Sequence, residues 1–94
     1  MGLLFEWNGD KAERNLKKHN VSFEEASTIF GDPLSVTIDD PVHSHEEERF
    51  VTVGQSVKHK LLVVVHIDRG DRIRIISARK ATYNERKSYE ESQS

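Results

Sequence analysis

The spacing of apolar positions changes several times along the chain. LLFEW at 3–7 alternates closely enough for a short strand, and Asn8-Gly9 behind it reads as a turn or helix cap. Over 10–19 the apolar positions thin to Ala12 and Leu16 at helical spacing, which predicts a helix with those two residues inward. Lys17, Lys18 and His19 fall where the carbonyl end of the dipole favours cations, and Asn20 suits a left-handed exit. A second helix is predicted over 23–30. Ser22 and Glu25 fit a capping box, Val21 is spaced to staple onto Ala26, and Phe23, Ala26, Ile29 and Phe30 share a face. Gly31-Asp32-Pro33 ends it.

Beyond that break the period shortens to two. LSVTI (34–38), RFVTV (49–53), LLVVVHI (61–67) and RIRIISA (72–78) read as strands, with Asp68-Arg69-Gly70-Asp71 as a tight hairpin between the last two. LLVVV is apolar on both faces, which places it at the centre of a sheet with cover on both sides. Residues 81–91 form a polar helix with Tyr83 and Tyr89 among its few large side chains. The expected fold is α+β in one domain over 1–94: an N-terminal strand and two helices, an antiparallel sheet, and a C-terminal helix.

With 94 residues and no cysteine, stability must come from one modest core without disulfides or a thiolate zinc site. The N-terminus has no basic stretch ahead of an apolar run, and LLVVV is too short to cross a bilayer, so a cytoplasmic protein is expected. A net charge of −2 argues against a general polyanion binder. The distribution changes that picture. Between Lys58 and Lys80 lie seven Lys or Arg against Asp68 and Asp71, whereas 39–48 holds five acids and no Lys or Arg before Arg49. A local cationic field attracts phosphates even when the global sum is negative.

The candidate chemistry gathers at the last hairpin. Alternation in RIRIISAR buries Ile73 and Ile75 and leaves Arg72 and Arg74 on the other face, with Arg79 and Lys80 at the exit. Those arginines also suit plain surface ion pairs with nearby acids, which add little stability. His66 ends the most apolar strand. Taken alone it is a satisfied core residue; beside Arg72 and Arg74 across the hairpin it becomes a proton carrier next to phosphate-binding cations. Arg49 is a further cation on the adjoining strand. His43 and His45 among acids have weak metal-ligand spacing, outweighed by a solvated loop, so no metal and no cofactor are expected. The absence of aromatics among the cations favours backbone phosphate contacts over base stacking.

FEW at 5–7, NLKKHNVSFEEASTIFGDPL at 15–34, HSHEEERFVTVG at 43–54, LLVVVHIDRGDRIRIISARKAT at 61–82 and ERKSYEE at 85–91 closely resemble the BrnT toxins of bacterial type II toxin–antitoxin systems. The resemblance implies a RelE-like fold and a metal-independent endoribonuclease that inhibits translation. It also implies a BrnA-type antitoxin that neutralises the toxin, represses the shared operon, contacts operator DNA itself and assembles with a toxin dimer. Carried onto this chain, it makes His66, Arg72, Arg74 and Arg79 the catalytic candidates, with Arg49 and Lys80 binding RNA. Asn8-Gly9 stands where many relatives have Asp-Pro, a change that keeps a capping side chain. A cationic face is expected to repel itself unless the antitoxin covers it. The alternative from another class is a non-catalytic module that uses the same cations to bind nucleic acid or the antitoxin.

Overall fold

The computed structural model describes residues 3–40 and 47–93. β1 (Leu4–Glu6) leads into α1 (Gly9–His19) and α2 (Phe23–Ser27), the latter continued by a 3₁₀ turn (Thr28–Gly31). Then come β2 (Val36–Asp39), β3 (Phe50–Gln55), β4 (Leu61–Arg69), β5 (Arg72–Lys80) and α3 (Tyr83–Glu91). The strands make one five-stranded sheet in the order β1-β5-β4-β3-β2. Strands β2 to β5 form the antiparallel meander that the alternation predicts, with β4 at the centre. β1 pairs in parallel with the outer edge of β5, Leu4 opposite Arg72 and Glu6 opposite Arg74, so the sheet is mixed. No described helix is long and apolar enough to cross a membrane.

Local chemistry fixes most element ends. The Asn8 side chain accepts the Lys11 N–H at 3.0 Å, so Asn caps α1 as expected, and Asn20 leaves the helix at φ 57°. The Ser22 hydroxyl caps α2 by accepting the Glu25 N–H at 3.0 Å. The Glu25 carboxylate does not complete the box. It is buried and accepts the Ser56 hydroxyl at 2.7 Å, tying α2 to the β3–β4 connection. The predicted 23–30 helix changes pitch at Thr28, whose hydroxyl takes the Glu25 carbonyl at 2.6 Å and competes with the helical ladder. Gly70, at φ 61°, starts the two-residue turn between β4 and β5, a conformation that favours glycine.

The main core lies between the sheet and the helical layer, while Leu61, Val63 and Ile67 of β4 are buried on the other face, so the central strand has the cover on both sides that its apolar pattern predicts. Leu62, Val64, Ile75 and Ala78 from the strands meet Val21, Phe23, Ala26 and Ile29 from the helical layer, with Phe5, Trp7, Ala12 and Phe30 around them. Gly54, opposite Leu62 on β3, lets the 3₁₀ turn approach: an added Cβ would lie 3.1 Å from the Ile29 carbonyl and 3.0 Å from the Ser35 Cβ. Gly54→Ala is expected to destabilise by about 1–3 kcal/mol through overpacking, read from a urea midpoint shift at unchanged slope.

The inward stripe of α1 differs from the expected one. Leu16 is exposed, and Asn15 points at the sheet and is buried. Its Nδ2 donates to the carbonyls of Val21 at 3.0 Å and Ala78 at 2.8 Å, and its Oδ1 accepts the Ala78 N–H at 3.1 Å. β1 covers the β5 edge only from Arg72 to Arg74. Farther along, one amide side chain does for Ala78 what a neighbouring strand would do. Asn15→Ala would strand both backbone groups in the core, at about 1–3 kcal/mol for each unsatisfied group. The expected result is a drop of 10 °C or more in Tm, measured by circular dichroism.

Candidate functional site

The face of the sheet away from α1 and α2 carries the arginines. Phe5 packs on Phe30 and Ile75 joins the core, so their strand neighbours Glu6 and Arg74 point the other way. Arg74 Nη1 donates to Glu6 Oε2 at 2.9 Å, and Arg72 Nη1 lies 3.8 Å from Glu6 Oε1. Strand alternation alone would send Arg79 to the core side, because it is five positions from Arg74. A β-bulge changes this. Val65 pairs with Ser77 and His66 with Ile75, leaving Ile76 as an extra residue in β5. Beyond it Ala78 takes the core side and Arg79 joins Arg72 and Arg74 on the open face. The Asn15 clamp on Ala78 sits two residues past the bulge and holds the shifted register.

Arg79 makes a two-point pair with Glu85, Nη1 to Oε1 at 2.7 Å and Nη2 to Oε2 at 2.8 Å. The same carboxylate accepts the Thr82 N–H at 2.8 Å while the Thr82 hydroxyl accepts the Glu85 N–H, a complete capping box at the start of α3. The Arg79 hydrogen bonds hold the Glu85 carboxyl at a pKa of about 2, so it is an anion at any physiological pH. From this anchor α3 crosses the open face to the far edge, where the Tyr89 hydroxyl donates to Asp32 Oδ2 at 2.6 Å. Burial and the Asp32 carboxylate push Tyr89 up to about 12, so it stays a neutral donor. Between α3 and the strands lies a cavity of about 390 Å³, floored by Val36, Ile38, Val51 and Val53 and reaching Glu85.

His66 is elsewhere. It was expected to share a face with Arg72 and Arg74; instead it lies on the core side and is 2 % exposed. Arg74 is opposite Ile67, and consecutive residues of a strand point to opposite faces. The imidazole stacks on Phe50 and meets the Phe30 edge. Its Nε2 shares a 2.7 Å hydrogen bond with the Thr52 hydroxyl, which in turn bonds the Thr37 hydroxyl at 2.7 Å. Its Nδ1 lies 2.8 Å from Asp68 Oδ1. Burial lowers the histidine pKa and Asp68 partly opposes this, so the ring is satisfied as a core residue.

The two RNA-binding candidates stand apart from the arginine row. Lys80, exposed at the end of β5, is opposite Leu62, on the core-side register. Arg49 immediately precedes β3, its carbonyl accepting the Asp40 N–H at 2.8 Å, with β4 between it and β5. His43 and His45 lie outside the described residues. The arginines do not form a bare cationic field either. Arg72 and Arg74 share Glu6, Arg79 holds Glu85, and Arg69 lies 3.4 Å from Glu47, so acids of the same chain already relieve the repulsion that an antitoxin was expected to relieve.

Glu6 and Glu85 are the residues that sequence reasoning passed over. Glu85 had a visible signal, since Thr82 three positions earlier makes the T-x-x-E capping pattern. Glu6 had none, because its partners come from a parallel pairing with a strand 68 positions away. Together the five side chains give an accessible row of guanidinium groups with carboxylates in contact, an arrangement that can bind a phosphodiester and carry charge developing on its oxygens.

The architecture defines an α+β domain with a mixed five-stranded sheet that presents a row of arginines on one face. Its fold is similar to that of the Brucella abortus ribonuclease toxin BrnT, whose crystal structure aligns with a TM-score of 0.63 at 18% identity, over 86% of this chain and 99% of that one. The family model for the ribonuclease toxin BrnT of type II toxin–antitoxin systems matches residues 7–85, and the chain belongs to that family. No curated protein matches the chain.

Proposed function

We propose that this protein is a metal-independent endoribonuclease that arrests translation by cutting RNA, with the open-face arginines as its phosphate site. The observation that carries the reading is the bulge at Ile76, which brings Arg79 onto the face of Arg72 and Arg74. In the proposed reaction the ribose 2′-oxygen forms a bond to the adjacent phosphorus, the bond from phosphorus to the 5′-oxygen breaks, and a cyclic phosphate is left. Arg72, Arg74 and Arg79 act on the phosphoryl oxygens, whose charge grows in the transition state. The phosphate competes with Glu6 and Glu85 for these guanidinium groups. The apolar cavity beside Glu85 offers a floor for a flanking base, and Lys80 and Arg49 serve the outlying backbone. His66 supports the fold in this reading and carries no proton for the chemistry.

A toxin of this kind requires a partner, here a BrnA-type antitoxin that neutralises it, represses the shared operon through its own operator contacts, and joins a toxin dimer in the complex. The protein then acts in the cytoplasm, where mRNA is translated. The test is induction of this chain alone and together with its operon neighbour, followed by 5′-end mapping of cellular RNA. The expected result is growth arrest with new, discrete 5′ ends, both abolished by the neighbour. Arrest with intact RNA would favour the non-catalytic binding module.

A further inference from the structure

Cleavage through the 2′-oxygen needs a group that removes its proton, and the open face restricts the choice. His66 is enclosed on the opposite face. Glu85 is spent on both Arg79 nitrogens and on the Thr82 N–H, and a carboxyl held at about 2 is a feeble base. Tyr89 donates to Asp32 at the far edge and is kept protonated. Glu47 lies beside Arg69, an exposed pair at 3.4 Å. That leaves Glu6. Its carboxylate sits within the arginine row, one oxygen 2.9 Å from Arg74 Nη1 and the other only loosely engaged, 3.8 Å from Arg72 Nη1. It is about a quarter exposed and is carried on a strand rather than on a loop.

Resting on the ribonuclease reading, we infer that Glu6 is the catalytic base: its carboxylate takes the 2′-hydroxyl proton while Arg72 and Arg74 hold the phosphate that this oxygen attacks. The loosely held Oε1 is the atom suited to the task. Oε2 remains on Arg74, which fixes the carboxylate beside the phosphoryl group that the same guanidinium contacts. The proton passes from O2′ to Glu6, the O2′–P bond forms as the P–O5′ bond breaks, and the 5′-oxygen leaves with a proton from water. The charged groups facing Glu6 are Arg72 and Arg74 from β5, with Arg69 of β4 opposite Arg72. These cations place the carboxylate beside the position where the phosphate binds. Protonation of Oε1 in the reaction also weakens the pull of the carboxylate on both arginines as charge builds on the phosphorane. Binding of the phosphate and activation of the nucleophile thus share one ion-pair cluster.

The test uses the full-length chain, a defined mRNA in a translating extract, and single-turnover cleavage. It adds binding to the same mRNA carrying a 2′-deoxy nucleotide at the mapped cut. Glu6→Gln is expected to melt within a few degrees of wild type and to bind the deoxy RNA as tightly or more tightly, because one negative charge has left the arginines. It is expected to cleave at least a hundredfold more slowly, within the usual range for a lost general base. Glu6→Asp, which keeps the charge and shortens the reach, should regain part of the rate. Should Glu6→Gln not fold, Glu6→Asp carries the test, with unchanged binding and a tenfold or greater loss of rate. Wild-type cleavage by Glu6→Gln would overturn the inference, as would a loss of binding that matches the loss of rate, the signature of a residue that only positions Arg74. Folded wild-type protein that cuts no RNA at all would instead bring down the ribonuclease reading itself.

Discussion

Replacing Arg74 and Arg79 together with alanine is expected to abolish RNA cleavage and growth arrest in a protein that remains folded. In the proposed reaction each guanidinium faces the phosphoryl oxygens where charge builds, and removing one preorganised donor of this kind costs about two to three powers of ten in rate. Neither side chain contributes to the core: both lie on the open face, partly exposed, with Glu6 and Glu85 as their partners. Arg79→Ala also releases Glu85, yet Glu85 keeps its capping box with Thr82, so α3 retains its start. Arg79→Lys separates charge from geometry. An ammonium keeps the charge and loses the planar two-point contact, so this variant should cleave at an intermediate rate. Thermal melts beside cleavage rates for each variant decide the matter. A folded and fully active double variant would remove the catalytic row from β5 and transfer attention to Arg49 and Lys80.

His66→Ala is expected to do the reverse, destabilising the fold while sparing the chemistry of the molecules that remain folded. The substitution deletes an enclosed ring between Phe30 and Phe50 and removes one of the two partners of the buried Thr52 hydroxyl, which keeps Thr37. Emptying a site of this size costs on the order of 3 kcal/mol or more, and for a domain of this length that is a Tm drop of roughly 10–20 °C. The wild-type histidine also leaves a mark in the pH dependence of stability. Burial lowers its pKa in the folded state below the unfolded value near 6.5, so the unfolded chain binds the extra proton first as pH falls. Stability should therefore be level above about pH 6.5 with respect to this group. It should decline as pH drops from there toward the lower folded value, at most about 1.4 kcal/mol per pH unit. Urea titrations from pH 5 to 8 measure this, and His66→Gln should flatten the slope. A His66→Gln variant that is stable yet dead in cleavage would make His66 part of the active site after all.

These two expectations separate residues that looked alike in the sequence. His66 and the arginines occupy neighbouring strands, and a hairpin brings them within a few residues of each other. What divides them is the parity of a pleated strand together with the extra residue at Ile76. The pattern RIRIISAR signals the alternation but not the interruption, since bulging at Ile76 depends on the helical layer accepting Ala78 and on Asn15 taking its N–H and carbonyl. The same contact explains why the thin stripe of α1 misled. Asn15 is inward, where it satisfies backbone groups of Val21 and Ala78, and Leu16 next to it is turned outward.

The sequence by itself determined the element order, the caps at Asn8, Ser22 and Asn20, the turn at Gly70 and the central place of LLVVV, and its resemblance to the BrnT toxins pointed to the family. Those features rest on interactions a few residues long, or on a burial period that the residues display directly. Tertiary structure alone decided the parallel pairing of β1 with β5, the Glu6 and Glu85 partners of the arginines, the enclosure of His66 and the common face of Arg72, Arg74 and Arg79. Each of these depends on contacts between segments far apart in the chain or on a one-residue shift of register. A local pattern carries no record of either, because a side chain's face is set by the strand paired beside it and by the layer packed against it.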